Sequence, residues 1–100
     1  MSETAAFVAL LTLRFRLPAR TLKEKRAIVK SVLARVRDRY NASAAEIAEL
    51  DSPGFTTIGL VCLSNDAAHA ESMLQEIARF VEAERLDAEL LSINTEVMTL

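Results

Sequence analysis

The sequence predicts an α+β fold in which a four-stranded antiparallel sheet carries two helices on one face. Two observations support this fold. Several segments have the alternating or β-branched apolar pattern of strands, and two others have apolar residues at helical spacing. A chain of only 100 residues has room for one core. We therefore expect a single domain that spans residues 1–100.

The first three strands are predicted from composition and position. Residues 5–17 (AAFVALLTLRFRL) alternate between apolar and polar side chains in their second half, as a half-buried strand does, and Pro18 ends the strand. Residues 42–50 have a mixed composition, and their place in the chain favours a strand. The turn residues of DSPG, at 51–54, then lead into the strongly apolar strand 55–64.

The first helix is predicted to begin at Leu22. Thr21 and Glu24 form a T-x-x-E capping box, in which the hydroxyl accepts from the Glu24 amide and the carboxylate reaches back to the cap amide. The apolar residues that follow keep to one face of the helix. Asn41 is suited to the left-handed backbone position that ends many helices, so the helix is predicted to stop there.

The second helix is predicted to follow Asn65 or Asp66 and to end within 82–87 (EAERLD), before a last strand at 88–100. The complete order is β, α, β, β, α, β. This order is that of the ferredoxin-like split βαβ fold (βαββαβ), with both helices on one face of the sheet.

Charge is distributed unevenly along the chain. Residues 14–39 contain ten Lys and Arg residues but only two acids, a net charge of +8. From residue 40 onward, two cations stand against eleven acids, a net charge of −9. Such asymmetry indicates either an anionic partner or attraction between neighbouring elements of the fold.

Most of the cations fall on the first helix. At 100° per residue, four of them share an arc of about 60° beside the apolar face, and three others, Lys25, Arg35 and Arg39, lie on the opposite flank. Arg20 precedes the helix. Lys and Arg at this spacing can bind phosphates. The alternative is a solvated or internally neutralised surface. The candidate RNA-binding residues are Arg20, Lys23, Lys25, Arg26, Lys30 and Arg37.

The sheet face that the helices leave open is predicted to be partly apolar, because the strand patterns put apolar residues on both faces of the first and third strands. A second copy of the chain would cover such a face. The alternative is a monomer that tolerates scattered apolar residues. The candidate residues of a homodimer interface are Val8, Leu10, Ile58 and Leu60.

Other classes of site lack the residues they need. Cys62 is the only cysteine, so the chain has neither an internal disulfide nor a cysteine cluster for zinc or iron–sulfur binding. His69 has no nucleophile or carboxylate pattern that would make it part of a catalytic set. The two glycines are too few for the anion loop of an acyl-phosphate hydrolase, and Phe55 alone cannot form the stacking platform of an RNA-recognition motif. We expect no enzymatic activity, no cofactor and no metal.

A membrane location is not expected either. The longest apolar run, residues 5–11, is too short to cross a bilayer, and no basic segment precedes it as in a signal peptide. The sequence therefore predicts a cytoplasmic protein.

The segment TLKEKRAIVKSVLARVRDRYNASAAEIAELD, followed by LSND and a helix that ends in ARFVEAE, resembles the YlxP-like family, the domain of unknown function 503. The similarity covers nearly the whole chain, and its most specific part is LKEKR, from Leu22 to Arg26. The turn sequence LDSPGF is shorter than is common in that family. The resemblance implies a small bacterial protein with a ferredoxin-like fold and no known enzymatic activity, often encoded beside translation initiation factor 2 and ribosome-binding factor A.

Two functional hypotheses follow. In the first, the protein acts in ribosome assembly or translation and docks through its basic helix on ribosomal RNA or the small ribosomal subunit. In the second, it is a dimeric regulatory or ligand-sensing module with no nucleic-acid role. The predicted dimer favours the second hypothesis, whereas the loop between the first strand and the first helix lacks the glycine that such modules generally use.

Overall fold

The computed structural model describes residues 4–84 and 87–100 of the chain. Its strands form one antiparallel sheet in the order β2-β3-β1-β4, and both helices pack on the same face. The ferredoxin-like split βαβ prediction is therefore confirmed. The elements in chain order are β1 (Phe7–Arg16), α1 (Leu22–Arg39), β2 (Ser43–Ala48), β3 (Phe55–Ser64), α2 (Ala67–Glu84) and β4 (Glu89–Thr99).

The central strand β1 sets the register of the sheet. It pairs with β3 from Phe7 opposite Ser64 to Arg16 opposite Phe55. Its pairing with β4 shifts once, between Arg14 and Phe15, and β2 pairs with β3 through one further irregularity, between residues 46 and 48. Because directly opposed residues in neighbouring strands carry their side chains on the same face, this register assigns each residue to one side of the sheet.

The core lies between the sheet and the two helices. β1 contributes every second residue to it, as its alternation predicts. The helices contribute one stripe each, at the spacing expected for an amphipathic helix. The fully buried residues at its centre include Leu11, Leu13, Val36, Leu60, Leu74, Ile77 and Val81.

Two residues assigned to the dimer interface belong to this core. Ile58 and Leu60 are 3% and 0% exposed, and they lie opposite Leu13 and Leu11 of β1 on the face that the helices cover. Their placement on the open face is therefore wrong. Alternation within β3 separates its two faces but does not say which of them is covered, and only the pairing with β1 decides that.

The start of α1 agrees with the sequence prediction, and its end does not. The Glu24 amide donates to Thr21 Oγ1 at 3.1 Å, as the capping box requires, but the Glu24 carboxylate accepts from the Arg20 amide, at 3.4 Å, instead of the cap amide. At the other end the helix leaves through Tyr40 in an extended conformation. Asn41 does not take the predicted left-handed position, because Glu49 is the only non-glycine residue with a positive φ among those that the structure describes.

The second helix begins after Asp66, whose Oδ1 accepts from the Ala68 amide at 3.1 Å. This bond selects Asp66 over Asn65 as the residue before the helix. The helix extends to Glu84, and part of the predicted 82–87 ending, residues 85 and 86, lies outside the described residues. Neither helix, over the residues described, is long and apolar enough to cross a membrane.

Candidate nucleic-acid interface and open sheet face

Four cations in and just before the first half of α1 have no side-chain partner among the described residues. Arg20, Lys23, Arg26 and Lys30 are exposed, and within residues 4–84 and 87–100 their side chains form no ion pair or hydrogen bond. We call these four residues the basic row. Because positions 23, 26 and 30 recur at helical spacing, their side chains share one flank of the helix.

The basic row lies on the outer flank of α1. Further along the same flank, the Arg37 guanidinium donates to the backbone carbonyl of Ala44 in β2, which is an edge strand of the sheet. On the opposite flank, Arg35 pairs with Glu84 of α2. The row therefore faces away from α2 and past the sheet edge, where a large partner can approach it.

Lys25 is not part of this surface. Its side chain is 1% exposed, and the ammonium pairs with Glu46 at 2.8 Å and donates to the carbonyls of Ser52, at 2.6 Å, and Glu49. Its assignment as an RNA-binding candidate is therefore wrong. Position 25 shares the buried face of α1 with Val29, Val32 and Val36, and does not lie on the flank to which the helical projection assigned it.

The other cations of the basic segment are engaged within the fold. Arg14 pairs with Glu49, and Arg16 pairs with Glu89 at 3.4 Å. Arg39 lies over the ring of Phe80, 5.0 Å from its centroid. Four of the ten cations at 14–39 are therefore paired with acids that follow residue 40. Arg37 and Arg39 contact a carbonyl and aromatic rings instead, and the side chains of the basic row have neither kind of contact among the described residues.

Glu49 is the most constrained carboxylate of the site. Its oxygens accept from Arg14 Nη2 at 2.7 Å, from Arg14 Nε at 3.0 Å and from the Thr57 hydroxyl at 2.9 Å. The hydrogen bond from Arg14 lowers the pKa of Glu49, and the bond from Thr57 lowers this pKa further. Since Lys25 holds the Glu49 carbonyl from the other side of the sheet edge, this residue joins the helix to the open face.

The open sheet face has an apolar end. Val8 and Leu10 lie on it, as predicted, and the register places Val61, Leu63 and Met98 beside them. Leu63 is 61% exposed, and Val61 and Met98 are each 38% exposed. Ile47 of β2 leans over Gly59 from the sheet edge. We call these six residues, Val8, Leu10, Ile47, Val61, Leu63 and Met98, the apolar patch.

The other end of the open face is charged, and a band of small or uncharged side chains separates the two ends. Arg14, Arg16 and Phe55 lie at the charged end, with the guanidinium of Arg14 4.9 Å and that of Arg16 5.5 Å from the Phe55 ring centroid. The band crosses the sheet through residues that the register aligns: Ala45, Gly59, Thr12 and Asn94. We call it the small row.

Two open hollows lie where the small row meets the apolar patch. One, of about 240 Å³, is bordered by Leu10, Ile47, Gly59 and Val61. The other, of about 250 Å³, is bordered by Leu10, Thr12, Asn94 and Glu96. A side chain at Gly59 would narrow the first hollow, because its Cβ would lie 3.0 Å from Ile47 Cδ1.

The two residues considered for catalysis lie elsewhere. Cys62 is 1% exposed in the core, and burial raises the pKa of its thiol. His69 is exposed in the first turn of α2. The structure does not bring the two together with the basic row.

Comparison with known proteins gives a family and a fold. The family described as "Protein of unknown function (DUF503)" matches residues 8–95. The uncharacterized protein YlxP of Bacillus subtilis (strain 168) is 35% identical over 65 residues, which is 65% of this chain and 71% of that protein.

Among solved structures, a dimeric ferredoxin-like protein of unknown function from Thermobifida fusca aligns with a TM-score of 0.55 at 13% identity, over 100% of this chain and 96% of that chain. The de novo designed ferredoxin-fold protein LFR1 1 aligns with a TM-score of 0.52 at 20% identity, over 93% and 86% of the two chains. At these identities the likeness concerns the fold alone.

Proposed function

Since the chain belongs to the DUF503 family of proteins of unknown function, we propose from its own surface that it is a non-enzymatic protein that docks on the phosphates of structured RNA. Ribosomal RNA in the small ribosomal subunit is the proposed partner, and the docking surface is the basic row. A cytoplasmic location, where ribosomes are found, is part of this proposal.

The observation that carries the proposal is that no side chain of the basic row forms an ion pair with a described carboxylate. Four other cations of the chain are paired with acids. Lys23 and Lys30 are separated by seven helical steps, or about 10 Å along the helix axis. The row can therefore follow a short stretch of phosphate backbone, with Arg forking onto two oxygens and Lys acting as a point charge.

Base stacking is not part of the proposal. Tyr40 and Phe80 contact each other edge to face beneath Arg39, and Phe55 lies under Arg14 and Arg16. No aromatic residue belongs to the basic row. Contacts to phosphate alone predict weak sequence preference and strong dependence on salt. For three or four phosphates, affinity should fall about 20- to 150-fold between 50 and 200 mM salt.

The test compares two triple variants of equal net charge. Lys23→Gln, Arg26→Gln and Lys30→Gln together remove three positive charges from the basic row. Ala68→Glu, Ser72→Glu and Gln75→Glu together add three negative charges at exposed positions of α2. Binding to purified 30S subunits and to a ribosomal RNA fragment is measured at both salt concentrations.

The α1 triple variant should lose salt-sensitive binding, whereas the α2 triple variant should retain most of it. Circular dichroism should show both to be folded, since all six positions are exposed. Equal loss in the two variants would mean that net charge, and not the row, determines binding. No salt-sensitive binding by the wild-type protein would overturn the proposal.

We also propose that the protein is a homodimer. A dimer would favour the alternative function, a regulatory or ligand-sensing module with no role in RNA binding. The support is the apolar patch on a sheet face that neither helix covers. The Thermobifida fusca protein is described as dimeric, so the fold itself is compatible with dimer formation. Light scattering at micromolar concentration tests this directly, and a dimer without RNA binding would support the regulatory module.

A further inference from the structure

We infer that the two copies meet through the apolar patch and the adjoining small row, around a two-fold axis that passes between the two sheets beside Leu10 and Val61. This inference rests on the proposed homodimer and is independent of RNA binding. It identifies the occupant of the patch as a second copy of this chain, in one orientation.

The charge distribution of the open face restricts how two sheets can stack. An axis parallel to the strands would lay the charged end of one copy over the same charged end of the other, so that Arg14 and Arg16 would face their own copies. An axis across the strands, at the level of Leu10, brings the apolar patch of each copy onto the apolar patch and small row of the other. The charged ends then project in opposite directions and stay in water, which avoids the cost of burying them.

The side-chain sizes along the strands fit the same axis. Leu10 lies opposite Val61 in β3, so these two residues define the level of the axis. Two residues from this level toward the start of β1, the register aligns Val8 with Leu63 and Met98. These three residues form a row of large side chains. Two residues from the Leu10 level in the opposite direction, the aligned residues are those of the small row. Rotation about the Leu10 level exchanges these two rows.

Large side chains of one copy therefore lie over small side chains of the other. Leu63 of one copy lies at the level of Gly59 of its partner, beside the Ile47 side chain that covers this glycine, where the hollow of about 240 Å³ is open to receive it. Met98 lies above Asn94 in the same way. Interdigitation of large and small residues is what allows two sheet faces to pack without voids.

One group opposes this arrangement. Glu96 lies opposite Leu10 in β4, so the axis brings the two copies of this carboxylate toward each other. β4 is an edge strand and Glu96 is exposed, so both carboxylates remain at the rim. Replacing Glu96 by Gln should therefore tighten the dimer about two- to fivefold, the range expected for relieving one pair of opposed like charges. Sedimentation equilibrium measures this change, and a weaker dimer would contradict the position of the axis.

A matched pair of cysteine variants locates the interface. Val61→Cys places a thiol at the axis, and Ser92→Cys places one at the charged end, beside Arg14. Each variant is treated with a short bismaleimide, which spans the distance between stacked sheets of about 10 Å. Wild-type protein gives the background, because Cys62 is buried. We expect cross-linked dimers from Val61→Cys only.

A matched pair of charge variants provides a second test of the interface. Val61→Glu should convert the dimer to a monomer in light scattering, and Ser92→Glu should leave it dimeric, with both variants checked by circular dichroism. A wild-type dimer that cross-links through Ser92→Cys and not through Val61→Cys would overturn the inference while the dimer stands. A monomeric wild type would contradict both the proposed homodimer and the interface inferred for it. Neither result would bear on the proposed RNA binding.

Discussion

Two lysines of the LKEKR segment, Lys23 and Lys25, show how different the two sides of α1 are. Lys23 lies on the outer flank without a partner in the described structure, whereas Lys25 is fully buried and has an acceptor for each of its three ammonium hydrogens. The same residue type, two positions apart, is thus a surface charge in one case and part of the core in the other. A count of cations on a helix therefore overstates the surface available to an anionic partner.

The largest expected effect comes from removing the buried lysine. Lys25→Met should lower the free energy of unfolding by about 3–5 kcal/mol, because Glu46 and two backbone carbonyls would lose their partner. Lys30→Met, on the outer flank, should change it by less than about 0.5 kcal/mol. Urea unfolding of both variants checks the contrast.

A double variant keeps this prediction open to test even if Lys25→Met unfolds. Adding Glu46→Gln to Lys25→Met removes the carboxylate charge that the first substitution leaves unpaired, and should recover part of the lost stability. Equal unfolding midpoints for Lys25→Met and Lys30→Met would show that the ammonium of Lys25 is not held as described.

A smaller effect is expected at the start of the helix. Thr21→Ala removes the acceptor of the Glu24 amide and should cost about 1 kcal/mol. Thr21→Ser keeps the hydroxyl and should restore most of that loss, measured by urea unfolding. Equal loss in both variants would point to the methyl group and its packing as the cause.

The smallest effect is expected from pH, through Glu49 at the edge of the open face. Since the folded state lowers its pKa from 4.5, its contribution to stability is present above that value and is lost as pH falls through the folded pKa. The difference in urea midpoint between wild type and Glu49→Gln should therefore be larger at about pH 7 than at about pH 3.

Thr57→Val separates the two causes of this pKa shift. It removes the hydrogen bond from Thr57, the weaker of the two residues that donate to Glu49, so it should retain most of the pH dependence. A midpoint difference between wild type and Glu49→Gln that stays constant with pH would mean that Arg14 does not bind the carboxylate in solution.

The fold could be predicted because its signals are local. Alternation in β1, the Thr21 cap of α1 and the turn at 51–54 depend on neighbours in sequence, and each agrees with the structure. The faces of β3 and the role of Lys25 depend on contacts between distant parts of the chain. Ile58 could be placed only by its pairing with Leu13, and Lys25 only by the carbonyls of residues 49 and 52.

The candidate site was predictable in part for the same reason. Helical spacing placed Lys23, Arg26 and Lys30 on one flank, and the structure agrees. It could not identify which cations are paired, because Arg14 and Arg35 meet Glu49 and Glu84 across 35 and 49 residues. Alternation places Val61 and Leu63 together on one face of β3, but only the pairing with β1 shows that this face is the open one.

The contacts of Lys25 also limit the length of the turn between β2 and β3. One ammonium reaches the carbonyls of Glu49 and Ser52 together, so these carbonyls must stay close in space although two residues lie between them in sequence. Surface turns usually tolerate insertions, because their backbone bonds only to water. An extra residue between positions 49 and 52 would move one carbonyl away from the lysine and leave a buried donor unsatisfied. Insertions should therefore be excluded from this turn and accepted after Ser52, so the length of the turn and the lysine should change together among relatives.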